Sequence, residues 1–230
     1  MYNKIIACLD KSVLGLDVQV DTIYGFPQFG PNSICSIPQN RPIDHELNVP
    51  NLQLYRKAKF TDIIDHGIFG VSLTLSEKAF EVLDNSNSDS YQSFPLEAKR
   101  GNELQRYHAV VFTWRRMDFV DWEECEFVKW QSMGHISAGN VTIKSYEHYR
   151  ELKRELKGKY SIKPTHLALY DDIEVDAFLL SNPFLGFYVS DRLRKTIEDN
   201  QLTAFNFDSL SELNDKMSVL PEPWSTYDNQ

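Results

Sequence analysis

From residue 70 onward the apolar and polar positions fall into a regular order. GVSLTL (70–75) alternates as a strand, Ser76 offers a helix cap, and EKAFEVLDN places Phe80 and Leu83 on one helical face; NSNSDS makes a turn and YQSFPL resumes an extended pattern. Much later the same order returns. FYV (187–189) is the strand, Ser190 the cap, DRLRKTIEDN a helix with Leu193 and Ile197 one turn apart, and TAFNFDSL (203–210) the returning strand. Aligned without gaps, Ser76 meets Ser190, Glu77 meets Asp191, Lys78 meets Arg192, Leu83 meets Ile197, Tyr91 meets Phe205 and Leu96 meets Leu210. A hydroxyl cap followed by an acidic residue satisfies free amides and complements the helix dipole, so any two such units share that much. The matching turn length and returning strand favour a duplicated unit over coincidence.

Other segments have plainer patterns. RYHAVVFTW (106–114) and THLALY (165–170) read as strands, and SYEHYRELKRELKGK (145–159) as a helix capped by Ser145 and stopped by Gly158. GHISAGN (134–140) reads as a turn, since it lacks the lysine and helix start of a phosphate loop. Between Gly25 and Pro50 lie five of the ten prolines, which excludes regular structure there. Phe26, Phe29, Ile34, Ile37 and Ile43 are apolar enough to fasten this stretch to the body. The expected fold is α+β, with mixed sheets, peripheral helices and two similar strand–helix–strand units at about 71–96 and 187–210. The expected organisation is a proline-rich arm (1–55) packed on the body, an α+β domain with an internal pseudo-repeat (56–215) and an irregular tail (216–230) carrying Trp224.

The formal net charge of -9 and the pI of about 5.2 set up a field that repels nucleic acid and anionic lipid and attracts basic partners. Cys8, Cys35 and Cys125 are odd in number and widely spaced, which argues against a disulfide framework and a zinc knuckle. The apolar stretch before Asp10 is too short for a signal-peptide core, and no run approaches a membrane span. A cytoplasmic protein is the expectation, with no membrane and no nucleic acid among its partners.

Catalytic signatures are missing from the sequence: there is no GxSxG, Walker, GxGxxG, HExxH or EF-hand pattern. Asp44–His45 and Asp65–His66 are adjacent pairs, and adjacency alone makes neither a metal site nor a base with its orienter. No metal and no cofactor are expected. Two acidic segments stand out. DFVDWEECEFVKW (118–130) interleaves Asp118, Asp121, Glu123, Glu124 and Glu126 with Trp122 and other aromatics, and DDIEVD carries Asp171, Asp172, Glu174 and Asp176. Paired carboxylates serve glycosidases and metal sites only at particular separations. A solvated face is the plain alternative for any one residue. A surface that steers a basic protein with carboxylates and anchors it with aromatics accounts for the interleaving better than catalysis does. These ten residues are therefore the candidate partner-binding set.

The run TDIIDHGIFGVSLTLSEKAFEVL with YQSFPLEAK, the following YHAVVF, and above all DAFLLSNPFLGFYVSDRLRKTIEDNQLTAFNF resemble the bacterial immunity proteins of polymorphic toxin systems, in particular the myxobacterial-type immunity domain. The resemblance covers about residues 58–210. It departs from the family pattern at GIFG, at Ala204 where a glycine is common, and in the proline-rich arm. What it implies is a non-enzymatic cytoplasmic protein that neutralises a cognate toxin domain by binding and occluding it. An adaptor or scaffold of a secretion system is the alternative among binding modules. A hydrolase using the clustered carboxylates is the alternative among enzymes.

Overall fold

A computed structural model describes residues 1–26, 32–34, 37, 40–64, 72–131, 136–157 and 159–219. Its elements in chain order are β1 (Tyr2–Ile6), α1 (Lys11–Leu14), β2 (Val20–Tyr24), β3 (Asn51–Leu54), β4 (Ile63–Ile64), β5 (Ser72–Ser76), α2 (Glu77–Asp84), β6 (Tyr91–Arg100) and β7 (Glu103–Phe112), then β8 (Glu126–Gln131), β9 (Ile136–Asn140), α3 (Tyr146–Glu155), β10 (Ser161–His166), β11 (Ala177–Leu180), β12 (Gly186–Ser190), α4 (Asp191–Asp199), β13 (Asn206–Ser209) and α5 (Leu210–Ser218). Among the described residues the strands form a six-stranded sheet in the order β2-β3-β6-β7-β5-β4, a four-stranded sheet β11-β12-β1-β13 and a three-stranded sheet β10-β8-β9. The fold is α+β, as its sequence pattern predicts.

The two similar units agree down to strand register. In the first, β4 pairs with β5 (Ile63 opposite Leu75), β5 with β7 (Leu75 opposite His108) and β7 with β6 (His108 opposite Pro95). In the second, Ala177 lies opposite Val189, Val189 opposite Asn3, and Asn3 opposite Ser209. The strand that completes the second unit is therefore β1, from the far end of the chain. It occupies the place of β7, with Tyr2 standing where Tyr107 stands. Each tyrosine hydroxyl donates to the carbonyl just before its unit's aspartate: Tyr107 to Thr61 at 2.8 Å, and Tyr2 to Val175 at 2.7 Å and also to Ile173. The aspartates correspond too. Ser76 Oγ, which caps α2, donates to Asp62, and Ser190 Oγ, which caps α4, donates to Asp176, fourteen residues back in both units.

Strand alternation splits each unit's side chains between two layers. Leu73, Leu75, Val110 and Phe112 of one unit and Ile5, Leu179, Phe187 and Val189 of the other meet in a shared core with Ala79, Leu83, Leu193 and Ile197 from α2 and α4. The outer face of the first sheet, with Leu96, Tyr107 and Val111, is covered by Ile34, Ile43, Leu47 and Val49, and Ile37 packs against them. Phe26 is half exposed, and Phe29 lies outside the described residues. The outer face of the second sheet, with Tyr2, Phe178 and Tyr188, packs on Trp122, Phe127, Tyr149 and Phe184.

Three local expectations are corrected. The extended run predicted over 165–170 lies earlier, as β10 at Ser161–His166, because its partner β8 pairs there. Residues 136–140 form the edge strand β9 rather than a turn, held by β8; Gly134 and His135 lie outside the described residues. The returning strand of the second unit is shorter than 203–210: it runs from Asn206 to Ser209, whose side chain starts α5 through a capping box with Glu212. Gly70, Asp65, His66, Cys35, Gly158 and Trp224 also lie outside the described residues.

Candidate functional site

The two acidic segments, some fifty residues apart in sequence, meet in space. Val120 bridges Leu169 in antiparallel fashion, with the Tyr170 amide donating to Phe119 and the Asp121 amide to Ala168, both at 3.1 Å. This short ladder places the 3-10 turn Met117–Phe119 beside the turn that carries Asp171 and Asp172. Between them runs an open groove of about 530 Å³ lined by Arg116, Asp118, Phe119, Tyr170, Asp172 and Glu174, together with Ile173 and Val175.

The groove wall is held from behind. Tyr2 hydrogen-bonds the carbonyls of Ile173 and Val175, and burial with the nearby Asp176 charge pushes its hydroxyl up to about 12, so it stays a neutral donor. Asn87 Nδ2 donates to the Glu174 carbonyl, and the Asp176 amide donates to the Asn87 carbonyl. Arg116 closes one end. Its guanidinium lies 3.7 Å from the centre of the Phe119 ring and pairs with Asp118 at 2.8 Å and Asp89 at 3.1 Å. Hydrogen bonds from Arg116 hold the Asp118 carboxyl below the usual carboxylate range despite partial burial.

Of the candidate residues, Asp118, Asp171, Asp172 and Glu174 are exposed around this groove. Glu123, Glu124 and Glu126 are exposed farther along the same chain segment, and Asp121 is half-buried, accepting from the Glu123 amide. Two candidates do not present themselves to a partner. Trp122 is 7 % exposed; it stacks on Phe127, packs against Phe184 and donates from Nε1 to the Met117 carbonyl. Asp176 is 4 % exposed and is spent on Ser190, Arg192 and the Asn87 amide. An aromatic in an acidic run points inward when the neighbouring layer offers a cavity, and here α3 and the Phe184 turn supply it.

The sequence reading passed over two members of the surface, Arg116 and Tyr170, the latter 46 % exposed, and counted Phe119 among the interleaved aromatics without placing it in the candidate set. Tyr170 immediately precedes the acidic run, which is the signal that could have found it. Among the described residues no group of histidine, cysteine and acidic side chains is placed to hold a metal ion. Cys125 exchanges hydrogen bonds with the backbone of Ala168, and burial pushes its thiol up to about 11, so it is a poor nucleophile at neutral pH. Among the described residues no helix is long and apolar enough to cross a membrane. Compared with family models, with curated proteins and with solved structures, the chain finds no match.

Proposed function

We propose that the protein is a binding module whose acidic face docks on a basic protein, and that it acts in the cytoplasm as an immunity protein that neutralises a cognate toxin by covering it. The observation that carries this reading is the convergence of the two acidic segments on one surface, with Tyr170 exposed among the carboxylates. Carboxylates there accelerate encounter with a basic partner, and an exposed aromatic supplies contact area once water is expelled. The resemblance of residues 58–210 to immunity proteins supplies the class of partner.

The test is co-expression in bacteria of the C-terminal domain of the neighbouring open reading frame, with and without the chain, followed by purification of the pair. Rescue of growth with a stable complex is expected, and reversing charge at Asp121, Glu123 and Glu124 should slow association and flatten its dependence on salt. Rescue without a complex, or an association rate indifferent to salt, would sink the reading.

A further inference from the structure

The groove beside Phe119 already contains one worked example of how it holds a cation. Arg116 is held there: its guanidinium carbon lies 3.7 Å from the centre of the Phe119 ring, and Asp118 and Asp89 accept hydrogen bonds from its nitrogens. A guanidinium suits this arrangement because it is planar, weakly hydrated and donates in a fixed fork. The acceptors exceed what Arg116 uses. Asp89, which is not part of the groove lining, has a side chain only 10 % exposed and anchors Arg116 through Oδ1. Asp172 and Glu174 line the groove and form no ion pair among the described residues, and the neighbouring Asp171 is likewise exposed. Tyr170 offers a second ring, on the strand segment hydrogen-bonded to Phe119.

We infer that this groove is an arginine-recognition site, taking an arginine side chain of a basic protein partner against Tyr170, with Asp172 and Glu174 as acceptors alongside the resident Arg116. The inference rests on the proposed binding role and names the chemistry the partner must present. Lysine fits less well, because its compact, strongly hydrated ammonium neither stacks nor forks. The match is one of charge and shape: the groove is lined by Asp118, Asp172 and Glu174 against one arginine, and partners of the opposite sign are drawn to such a concavity.

The probes are blocked tri-arginine and tri-lysine peptides, titrated at low salt into the full chain while its backbone amide resonances are followed. Expected are saturable shifts confined to residues 116–119 and 170–175, with the arginine peptide at least about fivefold tighter than lysine. Tyr170→Ala, and separately Asp172→Asn with Glu174→Gln, should each weaken the arginine peptide by about tenfold. All three positions are exposed, so the variants keep the fold, and melting curves check that. No binding, equal affinity for both peptides, or binding unmoved by these substitutions overturns the inference. Because no toxin enters this titration, the two readings fail separately: a toxin complex that leaves Tyr170 substitutions without effect removes the groove alone, while groove binding without rescue removes the immunity role alone.

Discussion

Replacing Asp176 with asparagine tests whether the seam between the two units is held by charge. The carboxylate accepts from Ser190 Oγ, from Arg192 Nε at 2.9 Å and Nη2 at 2.7 Å, and from the Asn87 amide at 3.0 Å. Asparagine keeps the shape but has one oxygen, so its amide nitrogen must face at least one of these donors. The Arg192 side chain is 70 % exposed, so solvent screens its ion pair and the pair contributes little. A buried donor left facing another donor costs about 1–3 kcal/mol more. The expected loss is about 1–3 kcal/mol, which lowers the melting temperature by roughly 2–12 °C in a chain of this size. Acid adds a second readout. Burial alone would raise this carboxyl, but hydrogen bonds from Arg192, Ser190 and Asn87 outweigh it and hold it below its ordinary value. The folded state therefore binds this proton less readily than the unfolded chain. Its stabilisation is complete above the unfolded value of about 3.9 and is lost as pH falls through the lower folded value. Urea unfolding of parent and Asp176→Asn between neutral pH and pH 3 should show the gap closing as acid is added. A variant as stable as the parent at neutral pH, or a gap that persists unchanged into acid, would refute the argument.

The tyrosine pair offers a matched comparison: Tyr2→Phe and Tyr107→Phe should each cost about 1–2 kcal/mol in urea unfolding, but only Tyr2→Phe should speed hydrogen exchange at 173–176, because its hydroxyl holds that segment. Leu193→Ala, in the shared core at 2 % exposure, should cost about 2–5 kcal/mol, whereas Glu123→Lys should stay within about 0.5 kcal/mol and act on association kinetics alone.

What was legible in the sequence follows the range of the interactions concerned. Ser76 and Ser190 cap their helices through amides three residues on, so the local words suffice to find them, and the gapless alignment they anchor matches the strand registers. The capping box that starts α5 was equally local, in Ser209 and Glu212, and was readable on the same grounds. The place of β1 was not. YNKII has a strand-like pattern, but nothing in five residues says that they pair with strands at the other end of the chain. The inward turn of Trp122 and the meeting of the acidic segments depend on the same kind of distant contact: α3 and the Phe184 turn for the first, and the Val120–Leu169 bridge for the second.

The duplication also separates what the fold requires from what the surface adds. Each unit reaches across to the other's aspartate: the Thr203 amide donates to Asp62 at 2.8 Å, and the Asn87 amide donates to Asp176 at 3.0 Å. Each has a tyrosine clamping the carbonyl one residue earlier. Yet the residues leading into these equivalent aspartates carry opposite charge. In the first unit they are Lys57, Ala58, Lys59, Phe60 and Thr61, with Ala58 fully buried and Lys59 donating to the Ser12 carbonyl. In the second they are Asp171, Asp172, Ile173, Glu174 and Val175, with all three acids exposed. The same framework accepts either, so strand pairing, capping and the tyrosine clamp place no demand for carboxylates at 171–174. Their presence there, beside the groove that Phe119 and Tyr170 line, is a property of the surface.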